Sequence, residues 1–250
     1  MGTEDKTYRP AILIPNHNHK DAIVALLDRL SVHGIDCLIV DDGSEPQTQR
    51  ILKRQAAERG WVQLLRRAHQ GGKGAAVMDG LHLLHGAGYT HAVQMDADGQ
   101  HDSDDLPKFL HESQAHPSAL ILGKPAYGPD VPRIRLAGRQ ISRVLVWLET
   151  FSFAISDPLL GYRVYPIRET VEVLSRHSLG RRMDFDPEIA VRLNWNGVAV
   201  RNISTQVSYP VNGFSNFRLF GDNLSMVCLH LRLLLTMLRR QFAGVPRGNA

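Results

Sequence analysis

The residues whose spacing best suits chemistry are Asp96 and Asp98, which directly follow the apolar run 92–95. In an extended segment, residues two apart point to the same side, so both carboxylates share one side. Two such carboxylates repel each other unless a cation joins them, and Mg²⁺ or Mn²⁺ prefers oxygen ligands. Gln100, two residues further on, offers an amide oxygen. The pattern predicts a Mg²⁺ or Mn²⁺ site at Asp96, Asp98 and Gln100 that offsets charge on a departing diphosphate. The alternative is a solvated acidic turn.

Two further polar clusters suit a nucleotide. Residues 41–44 read Asp-Asp-Gly-Ser, and Asp41 or Asp42 would accept a hydrogen bond from a base N–H or a ribose hydroxyl. The alternative, favoured for this motif in isolation, is an Asx-type turn. Residues 71–74 read Gly-Gly-Lys-Gly, and the amides at that helix start, with the Lys73 ammonium, suit a diphosphate. The P-loop spacing is absent, and a flexible turn with a solvated lysine is the alternative.

Basic and acidic groups in the second half suggest an acceptor site. Arg139 and Arg143 are four apart and share a helical face, where guanidinium groups would bind phosphate or simply be solvated. Asp184 and Glu188 are candidates for a general base toward an acceptor hydroxyl. Asp186, followed by proline, is more typical of a helix N-cap.

Apolar runs alternate with helical patterns over the first half of the chain. This alternation predicts an α/β fold with a parallel sheet covered on both faces. Ligands of such sheets bind at the carboxyl ends of strands, where the clusters after the first, second and fourth predicted strands lie. The predicted strands are 11–14, 37–40, 61–65, 92–95 and 119–122, and the predicted helices are 21–30, 47–59, 75–84 and 106–113.

The second half is less regular. Its predicted elements are a loop at 124–132, an apolar helix at 141–155, a strand at 160–164, a helix at 186–193, one or two strands within 198–207, a loop at 210–217 and a final helix at 224–242. The final helix carries one apolar face and several arginines elsewhere, so it is amphipathic. Such a helix lies on a membrane surface or packs on the domain, and packing is the simpler interpretation. We expect one domain at 8–220 and a C-terminal helix and tail at 221–250.

Composition bounds the partners and the compartment. The 250 residues are 43% hydrophobic, enough for a sizeable core, and carry a net charge of +4. This balance suits a phosphate-bearing ligand or an anionic membrane, and without a long basic run we expect no nucleic acid partner. Two cysteines, neither in a CxxC motif, form no disulfide framework or zinc site. The chain shows no signal-like stretch and no apolar run of spanning length, so we expect a cytoplasmic protein.

Taken together, the motifs resemble those of family-2 glycosyltransferases, and most of all the polyprenyl- and dolichyl-phosphate sugar transferases and related bacterial lipid-glycosylating enzymes. The likeness covers roughly residues 10–220. It is carried by Pro-Asn-His-Asn at 15–18, Asp-Asp-Gly-Ser at 41–44, Gly-Lys-Gly at 72–74, Asp-Ala-Asp-Gly-Gln-His at 96–101, Asp-Pro-Leu-Leu-Gly-Tyr-Arg at 157–163 and Met-Asp-Phe-Asp-Pro-Glu at 183–188.

The resemblance implies a nucleotide-binding fold of the GT-A type and inverting transfer by a single in-line attack. It implies that Pro15, Asn18 and Asp42 contact the nucleoside, and that Arg139 holds an acceptor phosphate, with Arg135 or Arg143 as further candidates. The chain departs from the family pattern at His17, where an aromatic residue is usual, and it lacks the C-terminal spanning helices of some relatives.

The sequence therefore predicts a glycosyltransferase that moves a sugar from a UDP- or GDP-sugar to a lipid-linked acceptor, with peripheral contact at the inner membrane face. A phosphate acceptor needs no base, whereas a hydroxyl acceptor would need Asp184 or Glu188. Two rival enzymes are a haloacid-dehalogenase-like phosphatase, which would release phosphate, and a sugar nucleotidyltransferase, which would release pyrophosphate. A third rival, a non-catalytic nucleotide-binding scaffold, would bind donor without turnover.

Overall fold

The computed structural model describes residues 7–127, 133–207 and 219–242, with the backbone alone at 127, 133–135 and 219–220. Within these ranges, seven strands form one sheet in the order β3-β2-β1-β4-β6-β5-β7. The strands are β1 (Pro10–Asn16), β2 (Cys37–Asp41), β3 (Val62–Arg66), β4 (His91–Gln94), β5 (Leu120–Tyr127), β6 (Arg163–Pro166) and β7 (Val200–Val207). Only β6 among them runs antiparallel to its neighbours, β4 and β5.

Helices cover both faces of the sheet because its central strands are apolar on both sides. Those described are α1 (Lys20–Leu30), α2 (Pro46–Glu58), α3 (Lys73–Gly86), α4 (Leu106–Ala115), α5 (Arg133–Thr150), α6 (Ile167–Arg176), α7 (Phe185–Trp195) and α8 (Leu219–Phe242). On β1, Leu13 faces a core shared with α3 and α5–α8, whereas Ile12 and Ile14 face a core shared with α1, α2 and α4. The period of two along the strand thus divides the core into two layers.

The predicted α/β class and mainly parallel sheet are confirmed. The first-half elements lie within a few residues of their predicted bounds, but β5 continues to Tyr127, so the loop prediction was wrong for 124–127. Pairing with all eight residues of β7 explains the extension. Residues 128–132 and the loop predicted at 210–217 lie outside the described residues.

Differences concentrate in the second half. Helix α5 begins at Arg133 rather than at 141 and ends at Thr150, where Phe151 takes a left-handed φ of 50°. The strand predicted at 160–164 is β6, shifted toward the C-terminus, and α6 was not predicted. Its 3.6-residue pattern is present but short, with Ile167, Thr170 and Val173 on the buried side.

Helix α8 packs through one face and exposes another. Leu229 and Leu233 are buried in the core, whereas the stripe from Leu224 to Phe242 that the sequence marks as its apolar face is exposed. The boundary at 220/221 falls inside α8, and the division into two units stays a prediction. No helix within the described ranges is both long and apolar enough to cross a membrane.

Candidate active site

The polar clusters meet at the carboxyl edge of the sheet. Strand β1 lies between β2 and β4, and its last residue, Asn16, pairs in register with Asp41 at the end of β2. Strand β4 ends at Gln94, which pairs with Leu13 of β1. Asp96 therefore lies two residues beyond the end of β4, on the same edge of the sheet. Parallel strand order therefore brings together segments that are far apart in the sequence.

Asp96 and Asp98 experience opposite electrostatic environments. The carboxylate of Asp96 lies 2.6 Å from the Lys73 ammonium and 3.3 Å from His101 Nε2. Burial alone would raise the pKa of Asp96, but Lys73 and His101 outweigh it and hold this pKa well below its usual range. Asp98 accepts a 3.0 Å hydrogen bond from the Gln100 amide, yet burial and then the charge of Asp96 raise its pKa. Asp98 is thus the carboxylate that a cation would stabilise most.

Lys73 joins two acidic segments. Its Nζ lies 2.6 Å from Asp96 Oδ1 and 2.8 Å from Asp186 Oδ2. Burial opposes the ammonium charge, but Asp186 and Asp96 outweigh that effect and raise the pKa of Lys73. Gln94 Nε2 donates to Asp186 Oδ1 at 3.3 Å, and Arg163 Nη1 donates to the Asp186 carbonyl at 2.8 Å.

The N-cap prediction for Asp186 was wrong. Asp184 occupies the N-cap position of α7 and the helix begins at Phe185, so Asp186 lies in the first turn. There its carboxylate faces Lys73 instead of capping backbone amides. Asp186 is therefore a site residue whose role depends on a partner more than 100 positions away in the chain.

Gly161 is a second residue that sequence reasoning missed. A Cβ at this position would lie 2.6 Å from Lys73 Nζ and against both carboxylate oxygens of Asp96. The absence of a side chain lets the 157–163 segment approach the ion pair. The only sequence signal was the family-like run in that segment.

Asp42 organises the glycine-rich turn before α3. Its Oδ1 accepts from the Gly71 amide at 2.8 Å and from Arg67 Nη1 at 2.6 Å, while its Oδ2 accepts from the Gly72 amide at 2.8 Å. The Ala75 amide donates to the Arg181 carbonyl at 2.9 Å. Two of the backbone donors expected to hold a diphosphate, the Gly71 and Gly72 amides, are therefore used within the protein, because they bond to Asp42.

The segment after β1 is tied to the segment after β2. Asn18, with a left-handed φ of 62°, accepts from the Glu45 amide at 2.8 Å, and its own amide donates to Ser44 Oγ at 3.0 Å. Asp41 Oδ1 accepts from the Ser44 amide at 3.1 Å. Pro15 is buried within β1. The side-chain amide of Asn16 is buried, and neither its nitrogen nor its oxygen has a hydrogen-bond partner among the described residues.

A cavity of about 450 Å³ adjoins these segments. It lies just after β3 and is lined by Leu65, Arg66, Arg67, Ala68, His69 and Asp79. Arg67, which bonds Asp42, also lies 2.7 Å from Asp79. The Asp42 turn therefore shares a wall with the cavity.

The residues predicted to bind or activate the acceptor have different partners in the structure. Arg139 Nη1 donates to both carboxylate oxygens of Asp157, at 2.8 and 2.7 Å. Asp184 is half-buried, and its Oδ1 accepts from the Arg182 amide at 3.0 Å. The side chain of Arg135 lies outside the described residues.

Glu188 does not fit the role of general base. It is fully buried and accepts from Arg192 Nε at 2.8 Å, Arg232 Nη2 at 2.6 Å and the Gly180 amide at 2.8 Å. Both carboxylate oxygens of Glu188 are occupied by these donors and shielded from solvent, so an acceptor hydroxyl has no access to them. The structure thus separates Asp184, beside the site, from Glu188, which links α7 to α8.

The described ranges contain no group of three or more His, Cys, Asp or Glu side chains arranged to hold a metal. A cation at Asp96 and Asp98 would therefore need further oxygen ligands of another kind. Gln100 supplies one such oxygen in this turn, and phosphate oxygens of a substrate are another source.

A mainly parallel sheet with paired aspartates at its carboxyl edge is the architecture of nucleotide-sugar glycosyltransferases of the GT-A fold. The chain belongs to glycosyl transferase family 2, whose family model matches residues 11–171. This membership decides against the phosphatase, the nucleotidyltransferase and the non-catalytic scaffold.

Similar proteins agree with this assignment. The chain is 24% identical to a UDP-N-acetylglucosamine–dolichyl-phosphate N-acetylglucosaminyltransferase from Methanococcus voltae, over 84% of this chain and 92% of the relative. It is 30% identical to an undecaprenyl-phosphate mannosyltransferase from Micrococcus luteus, over 63% of this chain and 66% of the relative. A mannosyltransferase from Pyrobaculum calidifontis, solved with GDP-Man and Mn²⁺, matches with a TM-score of 0.59 and 18% identity, covering 98% and 78% of the two chains.

Proposed function

We propose that this glycosyltransferase moves a hexose-type sugar from a UDP- or GDP-sugar to a polyprenyl phosphate, with inversion, at the cytoplasmic face of a membrane. The arrangement of Asp96, Asp98 and Lys73 at the end of β4 carries this proposal. The curated relatives carry dolichyl- or undecaprenyl-phosphate in their names, which supports a lipid phosphate as acceptor.

The residues after β4 fit a divalent cation. Asp96, Asp98 and Gln100 offer only hard oxygen donors, the kind that Mg²⁺ and Mn²⁺ select. The raised pKa of Asp98 is a second sign of fit, because a bound cation would relieve its repulsion with Asp96. When bound, Mg²⁺ or Mn²⁺ supplies positive charge to the leaving diphosphate. Lys73, held between Asp96 and Asp186, adds a fixed ammonium on the same side of the sheet.

The nucleoside half of the donor fits the ends of β1–β3. We propose that Asn18 lines its binding surface, that Pro15 and Asp41 lie buried beneath that surface, and that Asp42 shapes it through the glycine-rich turn. The buried, unpartnered amide of Asn16 and the adjoining cavity support this location. Both uridine and guanosine present N–H and C=O edges, so the base stays open.

The acceptor phosphate fits near Arg139. Asp157 orients this guanidinium, and Asp157 also accepts from the Leu159 and Leu160 amides, which ties Arg139 to the loop that ends at Gly161. A phosphate oxygen attacks the anomeric carbon as the bond to the diphosphate oxygen breaks. Because that oxygen is already anionic, no general base is required; for a hydroxyl acceptor, Asp184 is the better-placed carboxylate.

A donor screen followed by a transfer assay tests the proposal. Binding to the folded state raises apparent stability, so thermal melts with UDP- and GDP-sugars, each with and without Mn²⁺, identify the donor class. The matching radiolabelled donor is then incubated with a short-chain polyprenyl phosphate. We expect a metal-dependent shift for one base and labelled lipid product. Metal-independent binding of every donor, with no product, would contradict the proposal.

A further inference from the structure

Large apolar side chains are exposed mainly on two neighbouring helices. Outside them and the short turn after α5, the only exposed large hydrophobic side chains among the described residues are those of Val32 and Leu83. On α5 and the following turn the exposed ones are Ile141, Val144, Leu148, Phe151 and Phe153; on α8 they are Leu224, Val227, Leu231, Leu235, Leu238 and Phe242. We call these two sets the outer stripes.

The outer stripes lie opposite the packed faces of their helices. The six α8 positions recur at intervals of three or four, so they share one narrow face, while Leu229, Leu233 and Met237 on the other side are buried. Ser142 on α5 and His230 on α8 bond at 2.9 Å, and His230 bonds Glu149 at 2.8 Å, which holds the helices together. Each helix therefore has an apolar face left over after the core is complete.

The exposed charged side chains of α5 and α8 are all positive among the described residues. Glu149 and Asp222 are the only acids in α5 and α8, and they are 0% and 1% exposed. Arg239 is exposed, and the side chain of Arg232 is 49% exposed. The described surface of these helices therefore presents apolar groups with positive charge and no exposed carboxylate, a pattern that complements anionic headgroups over an acyl layer.

Ion pairs connect α8 to the site. Arg232 binds Glu188 of α7, which in turn accepts from the Gly180 amide. Arg182 donates to Asp222 at 3.0 Å, and its own amide donates to Asp184. The inner side of α8 thus touches the segment that carries the N-cap of α7, beside Lys73 and Asp186.

We propose that the outer stripes of α5 and α8 bind the surface of an anionic lipid bilayer, which keeps Arg139 of α5, the proposed site of the acceptor phosphate, close to the membrane. The choice of a lipid phosphate as target rests on the proposed function. A second copy of the chain is the weaker occupant, because a symmetric contact between equal faces sets arginines against arginines with no exposed carboxylate to pair them.

Vesicle sedimentation tests the surface directly. Wild-type protein is mixed with vesicles of neutral phosphatidylcholine, or of phosphatidylcholine with phosphatidylglycerol, at low and high salt. We expect binding that prefers the anionic vesicles and weakens with salt. The double variant L231E/L235E should bind vesicles about tenfold more weakly than wild type. V144E, a substitution on α5, should weaken binding as well. R239Q should weaken binding about fivefold, and only to anionic vesicles. The matched control is L83E, an exposed leucine on α3, which should bind like wild type.

Two outcomes would overturn the inference. One is binding of L231E/L235E and V144E equal to wild type; the other is a stable lipid-free dimer, seen by analytical ultracentrifugation, that the same variants dissociate. Transfer to a short-chain, water-soluble acceptor separates this inference from the proposed function. Stripe variants should keep wild-type turnover there and lose it with a long-chain acceptor in vesicles. If wild type showed the expected vesicle binding but transferred sugar to no polyprenyl phosphate, the surface would stand and the proposed function would fail.

Discussion

The two halves of the molecule hold their polar residues in different ways. In the half formed by β1–β4, strand ends bond to adjacent loops, as Asp42 does with the Gly71 and Gly72 amides. In the half formed by α5–α8, polar side chains are held by ion pairs between separate helices, such as the pair of Arg232 on α8 with Glu188 on α7. The polar side chains of the first half are therefore held by neighbouring loops, whereas those of the second half link separate helices.

The halves meet at Lys73. Its ammonium contacts Asp96 of the first half and Asp186 of the second, and Gly161 packs against the same pair. We therefore expect a substitution of Lys73 to lower both the rate of transfer and the free energy of unfolding. A substitution within one half should lower only one of these two quantities.

The largest expected effect is on activity alone. Asp98→Asn should reduce kcat by about 1,000-fold. The proposed cation would lose a carboxylate ligand, and the leaving diphosphate would lose the positive charge that the cation supplies. In the presence of EDTA its free energy of unfolding should not fall, since burial and Asp96 make the Asp98 charge unfavourable in the folded state at neutral pH. Steady-state kinetics and urea denaturation measure the two quantities. If the Asp98→Asn variant kept wild-type turnover at limiting metal concentration, Asp98 would not be a metal ligand.

Lys73→Met should disturb both halves. Removing the ammonium leaves Asp96 and Asp186 without their shared partner, which we expect to lower the free energy of unfolding by about 3 kcal/mol. Transfer should fall as well. Lys20→Met is the control, because Lys20 bonds the exposed Gln47 at the surface. Equal stability of the two variants in urea denaturation would show that Lys73 does not join the halves.

Gly161→Ala should produce a smaller loss centred on kcat. The added methyl group would displace the Lys73–Asp96 pair, and we expect about a tenfold decrease in kcat, because misplacing a reacting or positioning group by about 1 Å costs up to about 100-fold. Gly138→Ala is the matched control, since a Cβ there meets no atom of the described residues within 4 Å. Similar kcat values for the two variants would rule out a close approach at Gly161.

The smallest expected effect is that of Asp184→Asn. With a phosphate acceptor no protein base is needed, so kcat should change less than about threefold and the pH–rate profile should keep its shape. The acidic limb should follow the acceptor phosphate, whose second pKa is about 6. A loss of about 100-fold with disappearance of one limb would instead assign Asp184 as general base and point to a hydroxyl acceptor.

Sequence patterns predicted the first half well because its signals are local. The run 92–95 and the pair Asp96 and Asp98 lie within seven residues, and parallel strand order brings the other clusters to the same edge. The motif order also predicted the family correctly. The sequence predicts Asn18, Asp41 and Asp42 as site residues, and this stays a prediction. That Asp42 bonds the glycine-rich turn depends on a partner about 30 positions away.

The second half resisted prediction because its interactions are long-range. Asp186 was interpreted as an N-cap from the proline that follows it, and only the fold shows its partner Lys73. Glu188 was a candidate base until its burial between Arg192 and Arg232 was visible. The sequence predicts an apolar stripe on α8, but which face of the helix packs depends on the whole core.

Anomalous diffraction at the manganese edge, from crystals grown with Mn²⁺ and the donor identified by the thermal screen, tests the central claim most directly. The account predicts an anomalous peak about 2.1 Å from carboxylate oxygen of Asp96 or Asp98 and in contact with the diphosphate. A diphosphate bound by lysine and arginine alone, with no peak beside these aspartates, would contradict it.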